Sequence, residues 1–168
     1  MPYVDNFQHA DDIVIHLSTI VPTLTDSILR VKYIGFIAVA AVTVYEMAIK
    51  SIFIDFANKK HKVLGHFTEA YFERINGRIK IVNIREEYIT RFGERYLQRF
   101  NVKLEQCAND YLRRHKRDIR SSYSNLINWR NDFAHEGTIR TTATYPEAVQ
   151  AYVDGKEVIR CLAETMTR

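Results

Sequence analysis

Apolar residues recur at helical spacing along nearly the whole chain. The pattern predicts a first helix from about Asn6 to Ile20, ending near Pro22. A second helix begins near Thr25 or Asp26, either of which can cap it, and runs to about Ala57. It is apolar on most faces, which places it at the centre of a bundle. The segment from Asn58 to Lys62 leads to Gly65 as an exit loop. A third helix spans roughly His66 to Ile75 and stops at Asn76-Gly77.

The stretch from Arg78 to Ile84 is ambiguous. Ile79 and Ile81 alternate with basic residues as in a short strand, yet no partner strand is evident. Asn83, with Glu86 three residues on, has the form of an N-cap with its return carboxylate. It would open a long helix to about Arg114, with Asn101 a candidate break. Asp118 can cap the next helix, which ends at Glu136 with Gly137 as its stop. Thr144-Tyr145-Pro146-Glu147 is a capping box with proline in the first turn, and the helix it opens reaches about Met166. The expectation is an all-α chain, one domain over 1–168, built as a helical bundle of five or six helices.

Composition narrows the class. With 46% hydrophobic residues the chain can fill a core, and six Gly with three Pro are too few for a turn-rich β sandwich. Cys107 and Cys161 form no CxxC pair, which fits a reducing, cytoplasmic setting. Asp5, Asp11 and Asp12 argue against a secretory leader. The uncharged run Tyr33 to Tyr45 is shorter than the ~20 residues of a membrane span. A buried core helix and no membrane partner are expected.

Charge is unevenly spread. Residues 74–120 carry 13 of the 24 Lys and Arg but six of the 20 Asp and Glu, a local +7 against −3 elsewhere. Such a region suits a phosphate backbone, although a solvated helix surface has the same composition. Arg91, Arg95, Arg99 and Lys103 recur every four residues, interleaved with Tyr88, Phe92, Tyr96, Phe100 and Tyr111. The aromatics fit a core better than a stacking platform. Arg113, Arg114, Lys116, Arg117 and Arg120 cluster just before the helix that starts at Asp118, and are candidate RNA-binding residues.

That helix carries the candidate chemistry. At 100° per residue, Ile119, Tyr123, Leu126, Ile127, Phe133 and Ala134 share an arc about 120° wide, and Arg130 falls in its middle. An arginine on the core side is costly unless paired or turned to something outside the monomer. Ser124, Asn128, Asn131 and His135 form a polar edge beside the arc. Asn131 and His135 stand four residues apart, so the amide can orient the imidazole. Asp132 is a supporting carboxylate that projects towards solvent. Glu46 interrupts the apolar second helix; it can pair with Lys50 four residues on, or reach Arg130 and compensate its burial. Arg130 and His135 lie about 140° apart round the helix, too far to grip one atom together. Two copies about a two-fold axis would bring both pairs to one cleft, which points to a homodimer with a shared site. No HExxH, Cys/His ligand spacing, P-loop or GxGxxG is present, so no metal or cofactor is expected.

At these residues the sequence resembles the HEPN superfamily. Arg130-Asn131-Asp132-Phe133-Ala134-His135 matches its R-N-x-x-x-H form. The run AAVTVYEMAIKSIFIDF (40–56), followed by WRNDFAHEG (129–137), looks like the RiboL-PSP or Abi-like branch. The resemblance implies a metal-independent endoribonuclease that cleaves RNA by 2′-hydroxyl attack, acting as a toxin or anti-phage effector, usually as a homodimer. It implies Arg130 and His135 as the catalytic pair and Asn131 as their polar neighbour. The alternative is a non-catalytic HEPN module that binds RNA or a protein partner. One form of it is a toxin subunit paired with a nucleotidyltransferase antitoxin.

Overall fold

A computed structural model describes residues 2–167. Its centre is one long helix, α2 (Ser27–Lys60), opened by the Asp26 carboxylate, which accepts the Ile28 N–H at 2.7 Å. Before it come a 3-10 segment, Pro2–Phe7, and α1 (Gln8–Ile20). After it come α3 (Lys62–Phe72), the short α4 (Ile81–Asn83), α5 (Glu94–His115), α6 (Ile119–Glu136) and α7 (Tyr145–Thr165). Helix α2 packs against α1, α3, α6 and α7. Among the described residues there are seven helices, one more than the upper end of the expected count, and no strand.

The apolar character of α2 explains its place. It is long and apolar enough to cross a membrane by length and composition, but 61% of its most apolar window is buried inside the protein. The neighbouring helices take up that surface, as expected for a core helix. Three tyrosines lock it to its neighbours. Tyr45 stacks on Tyr123 of α6 at 5.3 Å and on Tyr152 of α7 at 5.9 Å. Its hydroxyl donates to the Tyr152 carbonyl at 2.5 Å. Gly155 of α7 leaves room for that hydroxyl, because a Cβ there would collide with it.

The helix ends follow local chemistry. Asp118 accepts the Arg120 N–H, Gly137 closes α6 at φ 67°, and Thr144 with Glu147 forms the full capping box of α7. Four expectations need correction. Helix α3 starts at Lys62, because His61 caps it through Nδ1, so the exit loop shrinks to one residue. The stretch 78–84 is not a strand, as no second strand exists among the described residues to pair with it, and Ile81 already begins a helix. Asn83 caps nothing and donates instead to Glu87. The long helix is broken at Gly93, not Asn101: a π stretch (Ile84–Tyr88) and a 3-10 turn (Ile89–Phe92) lead to Gly93 at φ 114°, a conformation glycine adopts cheaply.

Candidate functional site

Helix α6 presents its two ends differently. Ile119, Tyr123, Leu126 and Ile127 are buried, so the first three turns are core. Beyond Ile127 the core thins. Trp129, Arg130, Asn131, Asp132 and Phe133 are half-buried, and Ala134, His135 and Glu136 are exposed. Arg130 therefore continues the core-facing stripe just where that stripe leaves the core.

Its guanidinium lies against the turn between α3 and α4. The Nη2 atom is 3.1 Å from where a Cβ on Gly77 would stand, and Gly77 has φ 71°. The positive φ favours glycine there, and a Cβ would crowd the guanidinium by a few tenths of an ångström. Three long-range hydrogen bonds hold this turn. The Gly77 N–H donates to Glu46 Oε2 at 2.7 Å. Tyr88 donates to the Arg78 carbonyl at 2.6 Å, and Tyr123 to the Ile79 carbonyl at 2.7 Å. Burial pushes the Tyr123 hydroxyl far up in pKa, with Tyr88 adding to the effect. Burial and then the Glu87 carboxylate push Tyr88 up to about 12. Both hydroxyls therefore stay protonated as donors. Sequence reasoning missed this cradle. The one local signal was Asn76-Gly77, which marks a turn but not what the turn meets.

Arg130 has no carboxylate partner among the described residues. Its Nη1 donates to Asn131 Oδ1 at 3.0 Å. A guanidinium carries five N–H donors, so most of its capacity is left for a ligand. Glu46 does not pair with it. One Glu46 oxygen takes Lys50 at 2.7 Å and the other takes Gly77 N–H, so Glu46 acts on Arg130 only by fixing the turn beneath it. Asn131 likewise departs from expectation, since its oxygen is turned to Arg130 and not to His135. Asp132 is half-buried instead of solvent-facing, and makes no hydrogen bond or ion pair among the described residues. His135 is exposed in the last turn of α6, and no hydrogen bond among the described residues orients it.

The basic cluster is elsewhere. From Asp118 to His135 the helix rises about 25 Å, so nearness in sequence does not bring residues 113–120 to Arg130. Most of the cluster is also engaged. Arg117 pairs with the fully buried Asp154 at 2.8 Å, and Arg120 with Asp118 and Glu105. Arg113 pairs with Asp110, while Arg114 donates to the Asp110 carbonyl. Lys116 is exposed and holds the left-handed position that ends α5. Along the other basic row, Lys103 pairs with Glu164 at 2.5 Å and Arg91 lies 4.7 Å from the centre of the Tyr71 ring. Phe92 and Tyr96 pack on Phe53 and Phe56 as core residues. Among the described residues no three His, Cys, Asp or Glu side chains group as they would around a metal.

An all-α bundle with R-N-x-x-x-H on its penultimate helix defines the class as HEPN. The chain belongs to the RiboL-PSP-HEPN family, whose model matches residues 5–168. Membership carries an RNase-type or nucleotide-related function at the level of the family. No curated protein and no solved structure matches the chain.

Proposed function

We propose that the protein is a metal-independent endoribonuclease acting as a homodimer. The observation that carries this reading is Arg130: a half-buried guanidinium, aimed by Asn131, seated over Gly77 and paired with no carboxylate among the described residues. Such an arginine is held ready for an anion from outside the chain. In the reaction the RNA 2′-oxygen bonds to the adjacent phosphorus and the P–O5′ bond breaks. The products are a 2′,3′-cyclic phosphate and a 5′-hydroxyl. Arg130 binds the phosphate oxygens as charge builds on them. The imidazolium of His135 passes its proton to the leaving 5′-oxygen, and the 2′-hydroxyl proton leaves to solvent or to a second imidazole.

The dimer is supported by the surface beside the site. Phe36 and Met47 on α2 are 46% and 47% exposed, and Val39 is 38% exposed. They share one helix face with Leu29 and Thr43. Phe36 meets Phe133 of α6 edge-on at 5.3 Å, so this apolar face runs up to the motif. A second copy seated there would cover the face and bring two Arg130–His135 sets to one cleft. Phe36→Glu should give a monomer in sedimentation and abolish cleavage without loss of helicity. A monomeric variant of full activity would sink the shared site.

A second reading has one observation in its favour: no hydrogen bond among the described residues orients His135. A non-catalytic HEPN module that binds RNA or a protein partner needs no such orientation. A toxin or anti-phage role is suggested by the family resemblance alone, and a cytoplasmic setting by the two cysteines, which form no CxxC pair. The deciding test is labelled single-stranded RNA incubated with the protein in EDTA. The wild type should give cyclic-phosphate ends, while Arg130→Ala and His135→Ala should give none. Cleavage that survives both substitutions, or that needs a divalent ion, overturns the reading.

A further inference from the structure

The turn that meets Arg130 at Gly77 also contributes its flanking residues, Ile75 and Arg78, to a cavity. This cavity has a volume of about 490 Å³ and is walled by Phe67, Tyr71, Arg74 and Tyr88 as well. That lies within the range of small-ligand sites, ~300–1,000 Å³. Phe67 is 73% exposed, the highest value among the large exposed apolar side chains, and it stands at a site that also holds two arginines. Arg74 is exposed and has no ion pair among the described residues. Arg78 is 65% exposed, and Glu87, also on the cavity wall, engages it at 2.7 Å. Arg91 lies over the Tyr71 ring, which adds positive charge behind the aromatic wall.

Aromatic rings flanked by guanidinium groups match an unpaired nucleotide, which offers a flat base and an anion together. A folded duplex offers the anion but keeps its bases stacked on one another. We infer that this cavity is a nucleotide subsite for single-stranded RNA. It takes a base stacked on Phe67 or Tyr71, with the adjoining phosphate against Arg74, the cavity arginine that no carboxylate engages among the described residues. The inference rests on the ribonuclease reading for its substrate. It assigns RNA positioning to the end of α3 and the following turn, and not to residues 113–120, whose arginines are mostly paired to carboxylates.

The experiment uses the full chain carrying Arg130→Ala, so that binding is read without cleavage. A fluorescent single-stranded RNA decamer is titrated by anisotropy, with a blunt RNA duplex of the same length alongside. Adding Phe67→Ala should weaken single-strand binding about fivefold or more. Adding Arg74→Glu should weaken it similarly and make it less sensitive to salt. Both side chains are exposed, so melting temperatures should stay at the parent value. A 4-thiouridine in the RNA should cross-link within residues 67–78. Unchanged affinity in both variants overturns the subsite, as does equal affinity for the duplex or no RNA binding at all. The two readings separate cleanly. If the wild type never cleaves RNA but Phe67 and Arg74 still govern binding, the subsite stands and the nuclease falls. If the wild type cleaves but Arg113→Glu with Arg114→Glu alone removes binding, the nuclease stands and the subsite falls.

Discussion

The two ends of α6 each hold arginines, and they surround them differently. At the N-terminal end Arg117 and Arg120 meet Asp154, Asp118 and Glu105. Asp154 is fully buried and also accepts from Tyr111, Ser122 and Gln150. There both arginines are answered by carboxylates, and the result is a structural junction between α5, α6 and α7. At the C-terminal end Arg130 meets an amide oxygen and a glycine, and no carboxylate. Composition counts both ends as basic. The difference lies in which side chains oppose the charge: a paired arginine contributes to the fold, while an unpaired one keeps its donors for a ligand.

The sharpest way to break this comparison is to delete one arginine at each end. Arg130→Ala should reduce RNA cleavage by about 10²–10³ or more, with little change in melting temperature. Arg117→Ala should do the reverse. It leaves Asp154 buried with fewer donors, costing about 1–3 kcal/mol, nearer the lower figure because Arg117 is 40% exposed. Cleavage per folded molecule should stay near the wild-type value. If both variants lose activity in proportion to stability, the functional contrast between the ends disappears.

Gly77→Ala tests the cradle under Arg130. The substitution strains a residue at φ 71° and crowds Nη2, so it should cost about 1–3 kcal/mol. Cleavage should fall by about tenfold in the still-folded protein, because a small misplacement of a positioning group is costly. Wild-type cleavage in a folded Gly77→Ala protein would show that the turn does not aim the guanidinium.

The smallest effect should come from acid. Burial pushes the Asp154 carboxyl up, but the hydrogen bonds from Arg117, Tyr111 and Gln150 outweigh it and hold the pKa below the usual carboxylate range. Its folded pKa is thus lower than its unfolded one. The stabilisation is complete above about pH 4 and is lost as the pH falls through the folded value. Thermal melts should show this acid limb in the wild type and a flatter one in Asp154→Asn. The limb should persist in Arg130→Ala, since Arg130 is not among the groups that hold the Asp154 carboxyl.

Much of the fold was legible in the residues. The caps at Asp26, Asp118 and Thr144 and the stop at Gly137 are chemistry within a few positions, so they can be read locally. The region from Arg78 to Gly93 was not. Its apolar residues fit more than one period, and only packing decides that Ile79 and Ile84 are both buried in a helical bundle. The candidate site divides in the same way. Arg130, Asn131 and His135 are visible as a motif because they share one helix, and the odd position of Arg130 on the core-facing arc is visible on a wheel.

What the amino-acid order determined by itself was therefore the set of helices, the apolar helix at the centre and the polar motif near the end of α6. All of these depend on spacing and on neighbours three or four residues away. The tertiary structure decided which charges meet. Glu46 finds Gly77 across 31 positions, Tyr123 finds Ile79 across 44 and Arg117 finds Asp154 across 37. The Coulomb and hydrogen-bond terms that separate a paired arginine from an unpaired one act over a few ångströms in space, whatever the distance along the chain.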